Sequence, residues 1–479
     1  ETLQPLPPLY ISTVDSGNLA GHLLTLRQGL LAMPDEPVLA RATFAGLADT
    51  LGVLQETQAG VGDVAFDAAM SDFGQQLDAV IQHAPMTLQG AAGVLSLLAL
   101  KAEAIAALRP VPASTDAAPA PDWPRALVRA CESARAELAF FAPRLDTLAP
   151  RESAGTTTAA RIPTLRELAA QSQDTTIQAR ARARMHDLER LAHIAGQFSL
   201  MEYEFLYDRG RHLLSIGYNV DERRLDQGHY DLLASEARLC SFVAIAQGQL
   251  PQETWFALGR LLTEVDGDAT LLSWSGSMFE YLMPQLVMPS YPDTLLDQTS
   301  VHAVEAQIHY GAQRDVPWGI SESGYNTVDS RMNYQYRAFG VPGLGLKRGL
   351  GQDLVIAPYA TMMALMVAPE ASCENLQRLS DLGFGGSYGM YEAIDYALIR
   401  SFMAHHQGMG FLALDYLLRD QPMQKRFMAD AEFQATLLLL QERIPRTGVF
   451  HPHEAETTGA PMAQVASETQ LRVFQNPNT

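Results

Sequence analysis

Ser273-Trp274-Ser275-Gly276-Ser277-Met278-Phe279-Glu280 opens a segment that closes at Met403-Ala404-His405-His406-Gln407-Gly408-Met409, and nearly all the chemically expressive residues fall within it. Inside lie two carboxylate motifs, Trp318-Gly-Ile-Ser-Glu322-Ser-Gly-Tyr325-Asn326 and Tyr388-Gly-Met-Tyr391-Glu392-Ala-Ile-Asp395-Tyr396. Trp274, Trp318, Tyr325, Tyr334, Tyr336 and Tyr391 surround them, with glycines at close intervals. Carboxylates among aromatics and glycine turns suit a carbohydrate site, because sugar rings offer apolar faces to stack on and hydroxyls that need paired polar partners. Core aromatics and helix caps account for the same residues equally well.

Outside these motifs, apolar residues recur every third or fourth position. The pattern predicts helices over 19–33, 39–54, 64–83, 88–108, 225–246, 255–262, 279–287, 295–310, 357–367, 370–382, 393–418 and 423–442, one or two helices over 123–148, and one long amphipathic helix over 165–202. Arg180-Ala-Arg-Ala-Arg184 reads as the solvated face of that long helix. Strands are expected only in short hairpins near Leu213–Ile216 and Ala338–Gly340. The class is therefore all-α, and paired helices with the reactive residues in their loops predict a helical toroid whose functional loops share one rim. Residues 1–34 read as its first part, 35–190 as a helical insertion with linkers at 109–121 and 150–160, 191–445 as the main catalytic part, and 446–479 as a polar tail or strap.

The 479 residues exceed one small core, and 47% hydrophobic content is that of a globular chain. A net charge of -20 excludes a nucleic-acid groove or an anionic membrane surface as the main partner. Cys131, Cys240 and Cys373 form no metal or disulfide pattern and read as reduced, buried thiols. The most apolar run, Gly93 to Leu108, carries Lys101 and Glu103 and reads as too short and too polar to span a bilayer. The chain starts at Glu1 without an initiating Met, as expected of a piece of a longer protein.

Several long motifs arrive in a fixed order: Ile11-Ser-Thr-Val-Asp15-Ser-Gly-Asn-Leu, Ser215-Ile-Gly-Tyr-Asn-Val, Tyr230-Asp-Leu-Leu-Ala-Ser-Glu-Ala-Arg238, Trp274-Ser-Gly-Ser-Met-Phe-Glu280-Tyr-Leu, Trp318-Gly-Ile-Ser-Glu322-Ser, Phe339-Gly-Val-Pro-Gly-Leu-Gly-Leu-Lys347-Arg348-Gly-Leu and Met403-Ala-His405-His406-Gln407-Gly-Met. They resemble the middle, glycoamylase-like region of bacterial cyclic β-1,2-glucan synthases. The resemblance runs over most of the chain and is weakest between about 35 and 190. It implies an (α/α)6 toroid and an anomer-retaining transglycosylase that closes linear β-1,2-glucan into a ring, with no cofactor. It further implies covalently linked glycosyltransferase and phosphorylase-like domains, on the cytoplasmic side of the bacterial inner membrane. Related single-domain proteins are endo-β-1,2-glucanases, so hydrolysis is the alternative, and a non-catalytic glucan-binding toroid is the third.

A retaining mechanism needs a nucleophilic carboxylate and an acid/base carboxyl. Glu392, read at the mouth of a helix, is the expected nucleophile. Glu322, beside Trp318 and Tyr325, is the expected acid/base, with Glu280 its rival because the related glucanases also carry a carboxylate in that motif. Trp274, Trp318, Tyr334 and Tyr336 are candidates for sugar stacking. Asp15, Tyr325, Asn326, Gln335, Lys347, Arg348, Tyr391, Asp395, His405, His406 and Gln407 complete the expected substrate-binding set. His405, His406 and Gln407 are consecutive and so face different ways on a helix. His451-Pro-His453-Glu454 has metal-like composition but reads as a solvated run. Only Ala397 to Phe402 separate the second carboxylate motif from Met403, a shorter connection than the synthases lead one to expect, which would admit water more freely.

Overall fold

Tyr10–Ser12 (β1) leads into Thr13–Ala32 (α1), in a computed structural model that describes residues 8–58, 64–85, 87–108, 122–141, 162–265, 267–330, 332–386 and 388–444. The expected linkers, the tail from 446 and the His451–Glu454 run lie outside the described residues. Two units divide the chain: residues Glu1–Gln28 with His193–Thr479, and Gly29–Ala192.

In the second unit, Arg41–Gln58 (α2), Val64–Gln82 (α3), Leu88–Ala107 (α4) and Trp123–Phe141 (α5) share a core built on Leu47, Leu54, Phe73, Leu77, Leu95 and Leu127. Thr87 caps α4 by accepting from Gly90 N, so this helix starts ahead of the apolar run. Its 20 residues are long and apolar enough to cross a membrane, correcting the expectation from Gly93 onward. The buried Leu95, Leu98, Ala102 and Ile105 give it the face of a core helix. The single helix expected over 165–202 is two, Leu165–Gln171 (α6) and Thr175–Ser199 (α7). Asp174 ends the continuity by accepting from Thr176 N at 2.8 Å. Arg180 and Arg184 are not simply solvated either: both lie over the Phe140 ring, at 5.1 and 5.3 Å, and Arg184 pairs with Glu137.

The first unit resumes with Tyr207–Asp208 (β2), Leu213–Ser215 (β3), Gly217–Asn219 (β4), Arg224–Leu225 (β5) and His229–Tyr230 (β6), in two small sheets ordered β1-β4-β5 and β2-β3-β6. Pairing of Tyr218 with Leu225 and of Leu214 with Tyr230 therefore replaces the first half of the helix expected over 225–246. Only Arg238–Ala246 (α8) is helical. Gly17 of α1 sits so close to α8 that a β-carbon there would meet Cys240 Cβ at 2.1 Å.

Glu253–Ala257 (α9), Leu262–Val265 (β7), Asp268–Leu271 (β8), Met278–Leu282 (α10) and Leu295–Gln313 (α11) follow. α9 is shorter than the helix expected to reach 262, whose end pairs as β7 with β8, and α10 gives way to a 3-10 turn at Met283. Ser323–Val328 (β9) and Tyr334–Arg337 (β10) form a hairpin lying just before the strand expected at 338–340. Pro358–Ala364 (α12) and Pro369–Asp381 (α13) precede Gly385–Gly386 (β11), Gly389–Met390 (β12), Ala393–Asp395 (β13) and Ala397–Ile399 (β14). Ala404–Leu418 (α14), Pro422–Ala429 (α15) and Ala431–Gln434 (α16) close the unit. The helix expected over 393–418 thus begins only at Ala404, because Tyr396 at φ 54° turns the chain into a hairpin with Asp395 opposite Ala397. That expected over 423–442 breaks at Asp430, which caps α16 and accepts from Arg27 and Gln28.

Neighbouring pairs run α8 with α9 and α16, α15 with α14 and α16, α12 with α10, α13 and α14, and α10 with α11. This is the succession of paired helices of an (α/α) toroid, all-α with a few short strands. Phe242, Trp255, Phe427 and Phe433 knot its core, with Phe427 stacked on Phe433 at 4.0 Å. Cys131 and Cys240 are buried as expected, whereas Cys373 is exposed on α13, between the buried Ser372 and Asn375.

Candidate active site

The loop before α10 is built by its own carboxylate. Glu280 Oε1 accepts from Trp274 N and Ser275 N, both at 3.0 Å, and Oε2 accepts from Ser277 N and from the hydroxyls of Ser273, Ser275 and Ser277. Ser277 in turn caps the helix, with Glu280 completing the capping box. A buried carboxylate that accepts from this many donors is held as the anchor of its loop. The glycine-rich segment at 340–345 lies backbone against backbone on this loop: Ser273 N donates to Leu344 O, Leu346 N to Ser273 O and Val341 N to Gly276 O. A β-carbon on Gly340 would stand 1.8 Å from Ser275 O.

Glu322 immediately precedes β9. Its backbone is held by Tyr359, whose hydroxyl donates to Glu322 O at 2.8 Å and also bonds Ser321 Oγ. Burial pushes the Glu322 carboxyl up to about 7, helped by the charges of Glu280 and Asp15, while the Tyr336 hydroxyl and Lys347 pull the other way. Asp15 reaches this neighbourhood from the first turn of α1. Glu236, passed over as the interior of a helix, is pushed up to about 8 by burial, then by Glu280 and Glu322. The buried Arg238 beside it spends its guanidinium on the carbonyls of Ser235, Glu280 and Tyr281.

Glu392 is not at a helix mouth, so a helix dipole does not act on it. It stands in the turn before β13, 2% exposed, with its N–H on Ser401 O. Gly324 N donates to Oε1 at 3.0 Å, and His406 Nδ1 lies 3.0 Å from Oε2. The His406 ring is fixed by Tyr359, stacked on it at 3.7 Å and 9°. His406 Nε2 is 3.3 Å from Tyr336 Oη, which is 3.4 Å from Glu322 Oε2. The two expected catalytic carboxyls are thus joined through Tyr336 and His406. Tyr359 was missed because a tyrosine opening an apolar helix is indistinguishable in sequence from core.

The other expected contacts divide. Trp274 is 62% exposed and Tyr334 is also exposed, so both rings are free to meet a sugar. Trp318 is buried in the core, and Tyr325 packs edge-on against Phe339 with Arg337 over both rings. The Tyr336 ring faces His405 and His406. Tyr391 packs against Phe402, which also meets the exposed Tyr388. Asp395 Oδ2 accepts from Asn326 N at 3.0 Å, tying β13–β14 to β9, and Gln335 lies opposite Tyr325 in the hairpin ladder. Lys347 Nζ donates to Ala338 O, Gln407 Nε2 to Met390 O, and Arg348 and His405 are exposed. Burial, then His406, lowers the pKa of His405.

A family model described as "Glycoamylase: Putative glucoamylase" matches residues 228–431, which include Glu236, Glu280, Glu322, Glu392 and His406. The cyclic beta-(1,2)-glucan synthase NdvB of Rhizobium meliloti (strain 1021) is 34% identical over 498 aligned residues, covering 99% of this chain and 16% of that protein. The chain therefore spans about one sixth of that relative's length. Among solved structures, the endo-beta-1,2-glucanase of Talaromyces funiculosus with sophorose aligns at TM-score 0.43 and 13% identity, over 57% of this chain and 65% of its own. The beta-1,2-glucanase of Parabacteroides distasonis aligns at 0.42 and 14%, over 58% and 43%. Likenesses this remote add nothing further about this chain. The chain is thus similar to a glycoamylase family model over residues 228–431 and, along nearly its whole length, to a region of a cyclic β-(1,2)-glucan synthase.

Proposed function

We propose that this chain is an anomer-retaining transglycosylase that closes linear β-1,2-glucan into rings, with Glu392 as nucleophile and Glu322 as acid and then base. The observation that carries the reading is the asymmetry of the linked pair: burial and like charges push Glu322 up to about 7, while Glu392 faces two donors, Gly324 N–H and His406. Glu392 attacks the anomeric carbon and Glu322 protonates the departing oxygen; Glu322 then takes the proton of an incoming sugar hydroxyl as the ester is displaced. Trp274 and Tyr334 supply stacking surface for glucose units. The synthase relative supports β-1,2-glucan as substrate, and its greater length supports a place for this chain in a larger protein, which we take to be membrane-associated with this chain on the cytoplasmic side.

Hydrolysis is the second reading, favoured by the tightness of the β13–β14 hairpin, which leaves Tyr396 97% exposed beside the site and little chain to exclude water. Incubation with long linear β-1,2-glucan separates the readings. Rings resistant to exo-acting enzymes support transglycosylation, and shorter linear chains alone support hydrolysis. No turnover, unchanged by Glu392→Gln and Glu322→Gln, leaves a binding module.

A further inference from the structure

We propose that Tyr336 is a positioning residue whose single hydroxyl proton alternates between His406 and Glu322, following the charge as it moves between the two catalytic carboxyls. This rests on the roles given to Glu322 and Glu392. The geometry is a continuous chain: Glu392 Oε2 to His406 Nδ1 at 3.0 Å, His406 Nε2 to Tyr336 Oη at 3.3 Å, Tyr336 Oη to Glu322 Oε2 at 3.4 Å. A phenol has one proton and two neighbours here, so it donates to only one of them at a time.

With Glu392 ionised, Nδ1–H of His406 points to it, and Nε2 is left as an acceptor that takes the Tyr336 proton. Protonated Glu322 then faces the Tyr336 oxygen as a donor. When the ester forms on Glu392, the bond from the anomeric carbon to the departing sugar oxygen breaks and that oxygen takes the Glu322 proton. Glu322 becomes the charged group, and the Tyr336 hydroxyl turns to donate to it. In the second step the acceptor hydroxyl returns a proton to Glu322, the ester bond breaks, Glu392 recovers its charge and Tyr336 turns back to Nε2. No covalent bond of the tyrosine changes. The flat stack of Tyr359 on His406 keeps the imidazole from turning with it.

The surroundings give the turning hydroxyl its leverage. Glu322 faces the acidic groups of Glu236, Glu280 and Asp15, with Lys347 acting in the opposite sense. Arg238 is beside Glu236, and His406 faces Glu392, His405 and Tyr359. A donor that is present only when Glu322 is ionised stabilises the intermediate without stabilising the resting acid.

The test is difference infrared titration of the unliganded chain, following the protonated-carboxyl band that Glu322→Gln removes. Tyr336→Phe keeps the ring and removes the donor, so the Glu322 midpoint moves up by about one pH unit, the scale of one hydrogen bond to an ionised group. Replacing Tyr336 by 3,5-difluorotyrosine, a stronger donor of nearly the same shape, moves it down and covers the case in which the phenylalanine variant does not fold. With β-1,2-glucan, Tyr336→Phe lowers kcat about tenfold with KM little changed. An unmoved midpoint in both variants, or a raised KM with kcat intact, overturns the proposal. The titration needs no substrate, so its failure is separate from loss of the enzymatic reading, which is decided by whether Glu392→Gln and Glu322→Gln abolish turnover.

Discussion

Glu236, Glu280 and Glu322 show two fates of a carboxyl in one neighbourhood. Glu280 is surrounded by donors and builds a loop, whereas Glu236 and Glu322 are pushed up to about 8 and about 7 from an ordinary 4.5. The sign of the consequence for stability follows directly. Between about pH 4.5 and pH 8 the folded chain keeps protons that the unfolded chain has released, so these two groups cost stability as the pH rises through that window. Glu236→Gln should therefore leave the melting temperature nearly unchanged near pH 5 and raise it above the parent near pH 9; melting curves that run parallel at all pH values would contradict the assignment. Glu280→Ala should act in the opposite sense, because it strands the buried N–H groups of Trp274, Ser275 and Ser277. A loss of about 3 kcal/mol or more is expected in denaturant unfolding, with any loss of activity tracking unfolding. Sequence alone did not separate these carboxylates, since what distinguishes them is the set of donors that the fold brings to each.

At the scale of elements, long helices were legible and short hairpins were not. α3, α4, α11 and α13 lie within a few residues of where apolar periodicity puts them. Over 225–246 and 393–418 the periodicity ran on through residues that pair as strands, because two- and three-residue strands are set by turns such as that at Tyr396 and carry no repeat of their own. The glycines of 340–345 had a reason invisible in sequence: they let this segment lie on the Ser273–Gly276 backbone. Gly340→Ala should cost about 1–3 kcal/mol or more as the two backbones part, read by chemical unfolding, whereas Gly93→Ala, with open space around its α-carbon, should be neutral or slightly stabilising.

At the scale of the molecule, each unit has its own apolar core, and the reactive residues all belong to the first. A fragment spanning 29–192 should therefore fold by itself, giving a helical circular dichroism spectrum and one cooperative melt; a noncooperative transition would show that its core is insufficient. The catalytic reading turns on a sugar ester at one carboxylate. Glu322→Gln loses the acid of the first step and the base of the second, so a β-1,2-glucosyl fluoride, whose leaving group needs no acid, should load the ester and let it accumulate until the mixture is quenched in acid. Peptide mass spectrometry of the quenched protein is then decisive: a glucan adduct on Glu392 is expected, and turnover with an adduct on another carboxylate, or with no adduct and an inverted anomer as first product, would contradict it.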